Sequence, residues 1–139
     1  MQNKRLEMLL PIAYEALAHN ETIVKNGEIE KTFRGQISAF GAAILTGSLT
    51  TAVAFYSVQG KSKTPRQALL EVILEVLDKG KLLPKDEINE IFKDGSVPSY
   101  TVDNMKKLVF GSKDPELQEK ILDASVAIKL AMNFFTLIQ

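Results

Sequence analysis

Five basic residues lie in a stretch of the chain that contains no acidic residue. Residues 31 to 70 have no Asp or Glu, whereas the whole 139-residue chain carries 17 basic and 17 acidic residues. The five bases are Lys31, Arg34, Lys61, Lys63 and Arg66. A concentration of one charge sign attracts the opposite sign, so this stretch predicts a local surface for a polyanion. The alternative is chance together with a buried helix that excludes charge.

The spacing of these bases favours contact with a phosphate backbone. Lys31 and Arg34 are three residues apart on a predicted helix and therefore share a face. Lys61, Lys63 and Arg66 follow that helix, and a straight helix would separate the two groups by roughly 40 Å. Few aromatic residues are interspersed for base stacking, which favours sequence-independent contact. We expect these five residues to contact the phosphates of such a polyanion. Two further lysine clusters add weaker evidence: Lys79, Lys81 and Lys85, and Lys106, Lys107 and Lys113.

Catalytic and metal-binding chemistry finds little support in the residue types. Gly60-Lys61-Ser62 resembles the end of a phosphate-binding loop, but Phe55 occupies the position of the first required glycine. The chain has no Cys and a single histidine, His19, which we expect to interact with a helix terminus. Zinc would have to be bound by carboxylates, which zinc sites seldom use alone. We therefore expect no metal and no cofactor.

The acidic residues occur in pairs on predicted helices with lysines nearby. General acid–base catalysis needs a carboxylate with a shifted pKa in a pocket, and the sequence gives no sign of one. We interpret the pairs as solvated helix faces and predict that the protein is not an enzyme. The pairs are Glu71/Glu75, Glu87/Glu90 and Glu116/Glu119.

The elements that position these residues are predicted to be helices, because helix signals dominate the sequence and strand signals are nearly absent. The periodicity predicts a first helix over 3–19, kinked at Pro11 or starting near it. Later helices are predicted over about 65–79, 85–93, 101–110 and 115–138, with Thr64 as one N-cap and Gly80 as one helix end. Gly95 and Pro98 are expected to interrupt the chain. The fold class is all-α: a single domain over 1–139, a compact bundle of about six or seven helices around a long apolar central helix.

The central helix is predicted to run from Glu28 to about Tyr56, with Gly35 and Gly41 as candidate bends. It carries no charge after Arg34, so it is either the axis of a bundle or a membrane span. Its polar Ser and Thr residues and its striped bulky residues favour the bundle, since several amphipathic helices need an apolar partner. One predicted stripe is Phe33, Ile37, Phe40 and Ile44, and the other is Leu45, Leu49, Val53 and Tyr56. We predict no membrane association.

Composition and the N-terminal residues indicate the compartment. The absence of Cys fits a reducing environment. The short apolar run after Arg5 is broken by Glu7, and no cleavage site follows, so we expect no signal peptide. The predicted localisation is cytoplasmic.

Three segments resemble a known family. The run Ile44 to Tyr56 is similar to a helix pattern of the small subunit of the Cmr complex, the type III-B CRISPR–Cas RNA-targeting effector. Phe33-Arg34 resembles the lead-in to that helix. The run from Ala127 to Phe135, Ala-Ile-Lys-Leu-Ala-Met-Asn-Phe-Phe, resembles part of the final helix. The length and the all-helical pattern also match this family.

The resemblance implies a non-catalytic subunit with several partners. Copies would stack into a short filament beside the backbone and large subunits of the effector, along the crRNA and its target RNA, in antiviral defence. Cleavage would belong to other subunits. The assignment of the five bases to RNA contact comes from their charge and not from the family. The competing hypothesis is a helical protein–protein adaptor without nucleic-acid contact.

Overall fold

Seven α-helices and one small sheet make up the part of the chain that the computed structural model describes, residues 3 to 93 and 97 to 139. The mostly helical bundle confirms the predicted fold class. The helices are α1 (Asn3–His19), α2 (Lys31–Thr46), α3 (Leu49–Tyr56), α4 (Gln67–Lys79), α5 (Lys85–Phe92), α6 (Val102–Gly111) and α7 (Leu117–Ala131). A short 3₁₀ turn, Met132–Phe134, follows α7. The strands are β1 (Val24–Lys25), β2 (Glu28–Glu30) and β3 (Thr136–Ile138).

The centre of the bundle is formed by α7 and α4 rather than by a long helix from residue 28 to 56. α7 packs against α1, α2 and α4, and one face of each helix is buried. α4 is buried almost all round, from Ala68 to Leu77. α1 begins at Asn3 and continues past Pro11, so the alternative that it starts near this proline is wrong.

The predicted central helix is interrupted at Gly47 and Ser48, which is a correction to the sequence analysis. α2 ends where the Gly47 N–H donates to the Ala43 carbonyl over 2.9 Å. Ser48 then caps α3, because its Oγ accepts from the Thr51 N–H over 3.1 Å. Residues 28 to 30 form strand β2 instead of helix.

Of the two apolar stripes predicted in this region, one is fully buried and the other only in part. Phe33, Ile37, Phe40 and Ile44 are buried as predicted. In the second stripe, Val53 and Tyr56 are buried and Leu49 is half-buried, but Leu45 is 71% exposed. The interruption at Gly47 separates Leu45 from the rest of its stripe, and its side chain projects beyond the core.

The small sheet was not predicted. β1 and β2 form an antiparallel hairpin, and β3 pairs in parallel with β2, with Ile29 opposite Leu137. Asn26 and Gly27 form the turn with φ values of 55° and 76°, the left-handed conformation that two-residue hairpin turns require. The last helix was expected to continue to about Ile138, but it ends at Ala131 because the chain then extends to reach β2.

Other helix boundaries agree with the sequence analysis to within about two residues. α4 ends at Gly80, as predicted, where an added Cβ would lie 2.7 Å from both Leu9 Cδ2 and the Val76 carbonyl. Thr64 does not cap α4, since its hydroxyl lies 3.2 Å from the Ser62 hydroxyl and the helix begins at Gln67. Pro98 lies in a non-helical stretch as predicted, while Gly95 is outside the described residues.

Two partly buried polar pairs connect distant parts of the bundle. The Arg5 Nη1–H donates to Asp123 Oδ2 over 2.9 Å and joins α1 to α7. The Tyr100 hydroxyl donates to Asp78 Oδ2 over 2.6 Å and anchors the segment before α6 to α4. Burial, together with the adjacent Asp78 carboxylate, strongly raises the pKa of Tyr100.

Across the described ranges, no helix is both long enough and apolar enough to cross a bilayer. The apolar run that suggested a membrane span is divided between α2 and α3. α2 has 16 residues and α3 has eight, whereas about 20 are needed to span the hydrocarbon core.

Candidate nucleic-acid interface

The loop that carries three of the five predicted bases folds back against the start of α2. The Tyr56 hydroxyl donates to the Gln36 carbonyl over 2.8 Å, and the Gln36 Nε2 donates to the Thr64 carbonyl over 2.9 Å. Residues on both sides of the loop therefore contact the second turn of α2. The separation of roughly 40 Å, which assumed a straight helix, is wrong because α3 reverses the chain direction after Gly47.

Lys63 reaches the N-terminal end of α2. Its Nζ lies 3.3 Å from Glu30 Oε1, at the residue that precedes Lys31. The Lys63 side chain is 74% exposed, so this ion pair is solvated and contributes little to stability. Lys63 and Lys31 are thereby brought to the same end of α2, with Glu30 partly neutralising Lys63.

Lys31, Arg34 and Lys61 have no acidic partner among residues 3–93 and 97–139. Lys31 and Lys61 are exposed, and Arg34 is half-buried. At about 100° per residue, Arg34 and Gln36 are about 200° apart around α2. Arg34 therefore projects away from the flank that contacts the loop, and the five bases do not form one compact patch.

Arg66 packs on aromatic rings, a contact that the sequence analysis missed. Its Cζ lies 4.7 Å from the centroid of the Phe55 ring and 5.8 Å from that of Tyr56. These are cation–π distances. Burial raises the pKa of Tyr56, although the nearby guanidinium acts in the opposite direction. The sequence signal was available in the Phe55-Tyr56 pair at the end of α3, but only the chain reversal brings Arg66 next to it.

The acidic pair on α4, Glu71/Glu75, is not the solvated face that the sequence suggested. Glu75 is only 9% exposed and binds Lys79 Nζ over 2.9 Å, and His19 Nδ1 lies 3.8 Å from it. Glu71 is half-buried and accepts from Asn20 Nδ2 over 3.3 Å. Burial raises the pKa of Glu71, which the hydrogen bond only partly offsets.

The remaining acids and lysines lie mostly at the surface. Glu116 and Glu119 are exposed as predicted, and Glu90 is exposed while Glu87 is half-buried. In the two lysine clusters, Lys79 is paired with Glu75, and Lys106 Nζ lies 3.5 Å from Asp103. The described parts of the chain contain no group of three or more His, Cys, Asp or Glu side chains that could hold a metal ion.

A second surface feature is an apolar groove between α2 and α7, which we call the α2–α7 groove. It has a volume of about 490 Å³, and its α2 side includes the small residues Gly41 and Ala42. Leu122 and Val126 line its α7 side, and the exposed Leu45 stands at its rim. The α7 side also carries two acids, Glu119 and the Arg5-paired Asp123, and one base, Lys129.

The chain matches no protein-family model, and no curated protein or solved structure is significantly similar to it.

Proposed function

We propose that this protein is a non-catalytic, RNA-associated subunit, and that it contacts the backbone of a guide–target RNA through basic residues. The resemblance to the small subunit of the Cmr complex supplies the type of assembly. Its proposed partners are the backbone and large subunits of that effector, other copies of itself, and the crRNA with its target. The proposed setting is antiviral defence in the cytoplasm.

The observation that carries the proposal is the arrangement of bases where the 57–66 loop meets α2. Lys31, Lys61 and Arg66 are exposed, and Lys63 reaches the N-terminal end of α2 at Glu30. Glu30 is the N-cap of α2, and its carboxylate offsets part of the positive end of the helix dipole, so the excess positive charge comes from the basic side chains themselves. Such a surface binds phosphate groups and does not distinguish between bases.

The test is the salt dependence of RNA binding, measured by fluorescence anisotropy with a labelled RNA duplex and a labelled single strand. About four phosphate contacts predict a slope of log K against log salt near −3 for a single strand. Lys31→Glu/Lys61→Glu removes two contacts and should reduce the slope by about 1.4.

Lys4→Glu is the matched control for the single variant Lys61→Glu. It makes the same change in net charge at an exposed lysine on α1, outside the acid-free stretch and outside the two lysine clusters. We expect it to leave the slope unchanged, whereas Lys61→Glu should reduce the slope by about 0.7. A slope that hardly differs from zero, or equal losses in the two single variants, would refute backbone contact at this surface.

A protein–protein adaptor is the second candidate function, and the α2–α7 groove favours it. Glu119, Leu122, Val126 and Lys129 follow one another along the α7 side of the groove. A second copy placed antiparallel, with its two-fold axis at the level of residue 124, would put Glu119 opposite the other copy's Lys129 and Leu122 opposite the other copy's Val126. Such self-complementarity is what an isologous dimer requires.

Charge exchange tests this adaptor hypothesis. Lys129→Glu would place like charges opposite each other and should weaken self-association, while Glu119→Lys/Lys129→Glu should restore it. Analytical ultracentrifugation over a range of protein concentrations measures both effects. A wild-type chain that stays monomeric throughout, or a double variant as weak as the single one, would exclude this pairing.

A further inference from the structure

We infer that Phe55 and Arg66 form a stacking site for a base of single-stranded RNA. This inference rests on the proposed function and deepens it, because it names a class of ligand that backbone contact alone does not select. Phe55 is 57% exposed, although it lies on a helix whose neighbouring Val53 and Tyr56 are buried. An aromatic face of this size in contact with water is available to a partner.

The guanidinium group of Arg66 makes this phenylalanine different from other exposed aromatic residues. It lies 4.7 Å from the centroid of the Phe55 ring and is itself exposed. The guanidinium lies over the Phe55 ring, and both groups stack on nucleobases, so a base can extend this stack on the outer side of the guanidinium or on the side of the ring that Arg66 does not cover. The Arg66 Cζ also lies 5.8 Å from the ring centroid of Tyr56, whose hydroxyl is hydrogen-bonded to α2.

Charge around this pair suits a strand rather than a neutral aromatic ligand. Lys61 and Lys63 precede Arg66 in the same loop. Glu30 partly neutralises Lys63, whereas Lys61 has no acidic partner among the described residues. A base stacked on the pair would have its phosphates within the reach of these lysines. Bases inside a duplex are already stacked on their neighbours, so the ligand is a single-stranded segment.

The experiment uses the absence of tryptophan from this chain. Phe55→Trp introduces a unique fluorophore that stacked bases quench. We expect quenching by a ten-nucleotide single-stranded RNA and none by an abasic strand of the same length and charge. Equal quenching by the two strands would show that the base does not stack at this position.

Affinity measurements provide a second readout. Phe55→Ala should weaken binding of the same single strand by about 5- to 150-fold, the range for one stacked base. Phe110→Ala is the matched control, since Phe110 is 56% exposed but lies on α6, outside the acid-free stretch. Phe55→Leu keeps the apolar volume and should weaken binding similarly, and circular dichroism confirms that each variant is folded.

The outcomes separate this inference from the proposed function. If Phe55→Leu and Phe55→Ala bind like the wild type while Lys31→Glu/Lys61→Glu binds weakly, the stacking site is wrong and backbone contact stands. If the wild type binds neither strand at low salt, both fail. Arg66→Lys keeps the charge but removes the plane, so it should weaken single-strand binding without changing the salt slope.

Discussion

Removing Arg5 should destabilise the protein more than neutralising its partner Asp123. The two side chains form a hydrogen-bonded ion pair of 2.9 Å between α1 and α7, and their exposures differ: 18% for Arg5 and 4% for Asp123. Arg5→Met leaves a carboxylate that has almost no access to water. Asp123→Asn leaves a guanidinium that can move toward solvent on its long side chain.

These exposures set the size of the effect. Breaking a buried ion pair from one side costs about 3–5 kcal/mol, and Arg5→Met should lie in that range. Asp123→Asn should cost about 2–3 kcal/mol, because the remaining charge recovers part of its hydration. Arg5→Met/Asp123→Leu removes both charges and should recover most of the loss, to within about 1 kcal/mol of the wild type.

Urea unfolding followed by circular dichroism measures these free energies. For a domain of this length, Arg5→Met corresponds to a fall in Tm of about 10–15 °C. Lys63→Met is the control, since it breaks an exposed ion pair with Glu30 and should cost about 0–1 kcal/mol. A larger loss for Asp123→Asn than for Arg5→Met, or a double variant no more stable than the worse single variant, would refute the reasoning.

Four further variants test other parts of the fold. Because burial raises the pKa of Glu71, its ionised carboxylate opposes folding at neutral pH. Glu71→Gln should therefore raise Tm at pH 7, and the gain should vanish near pH 3, where the carboxyl is protonated; a gain that persists at pH 3 would contradict this. The raised pKa of Tyr100 predicts that wild-type stability falls above about pH 10, as the unfolded phenol ionises, and that Tyr100→Phe flattens this fall when unfolding is followed against pH. Gly35→Ala, in an open helical position, should stabilise the protein by about 0.5–1 kcal/mol. Gly80→Ala should destabilise it by about 1–3 kcal/mol, because the added methyl group would meet Leu9 and the Val76 carbonyl. Thermal unfolding measures both effects, and the opposite order of stabilities would contradict the packing at Gly80.

Helix positions were largely predictable from the sequence because apolar periodicity and glycine stops act locally. The buried stripe of α2, from Phe33 to Ile44, follows directly from its spacing. The turn of the hairpin has a strong local signal, since Asn-Gly at positions 26 and 27 is typical of two-residue hairpin turns. Its strands have no such signal, because they contain too few residues for a clear alternating pattern. The end of α7 at Ala131 depends on pairing between β3 and β2, residues about 108 apart in sequence, which no local pattern encodes.

The candidate site was less predictable because its geometry depends on one interruption. Glycine can end a helix and serine can cap the next one, and both residue types occur at positions 47 and 48. The apolar residues on both sides of this pair nevertheless suggested one continuous helix. The environment of Glu75 likewise depends on packing, since a glutamate with Lys79 four residues later usually forms a solvated pair. The number and position of the charged residues could be read from the sequence, whereas the contacts between their side chains could not.

The interruption after α2 also determines which side chains are available for the proposed RNA contact. A continuous helix through residue 56 would carry Phe55 far from the start of α2 and leave Lys61 and Lys63 at the opposite end from Lys31. With α3 reversed, the Tyr56 hydroxyl binds the Gln36 carbonyl, and Arg66 is held against Phe55. Basic and aromatic groups then border the same loop, a combination typical of surfaces that bind single strands. In the proposed complex, Arg34, on the other flank of α2, would contact a different segment of the RNA.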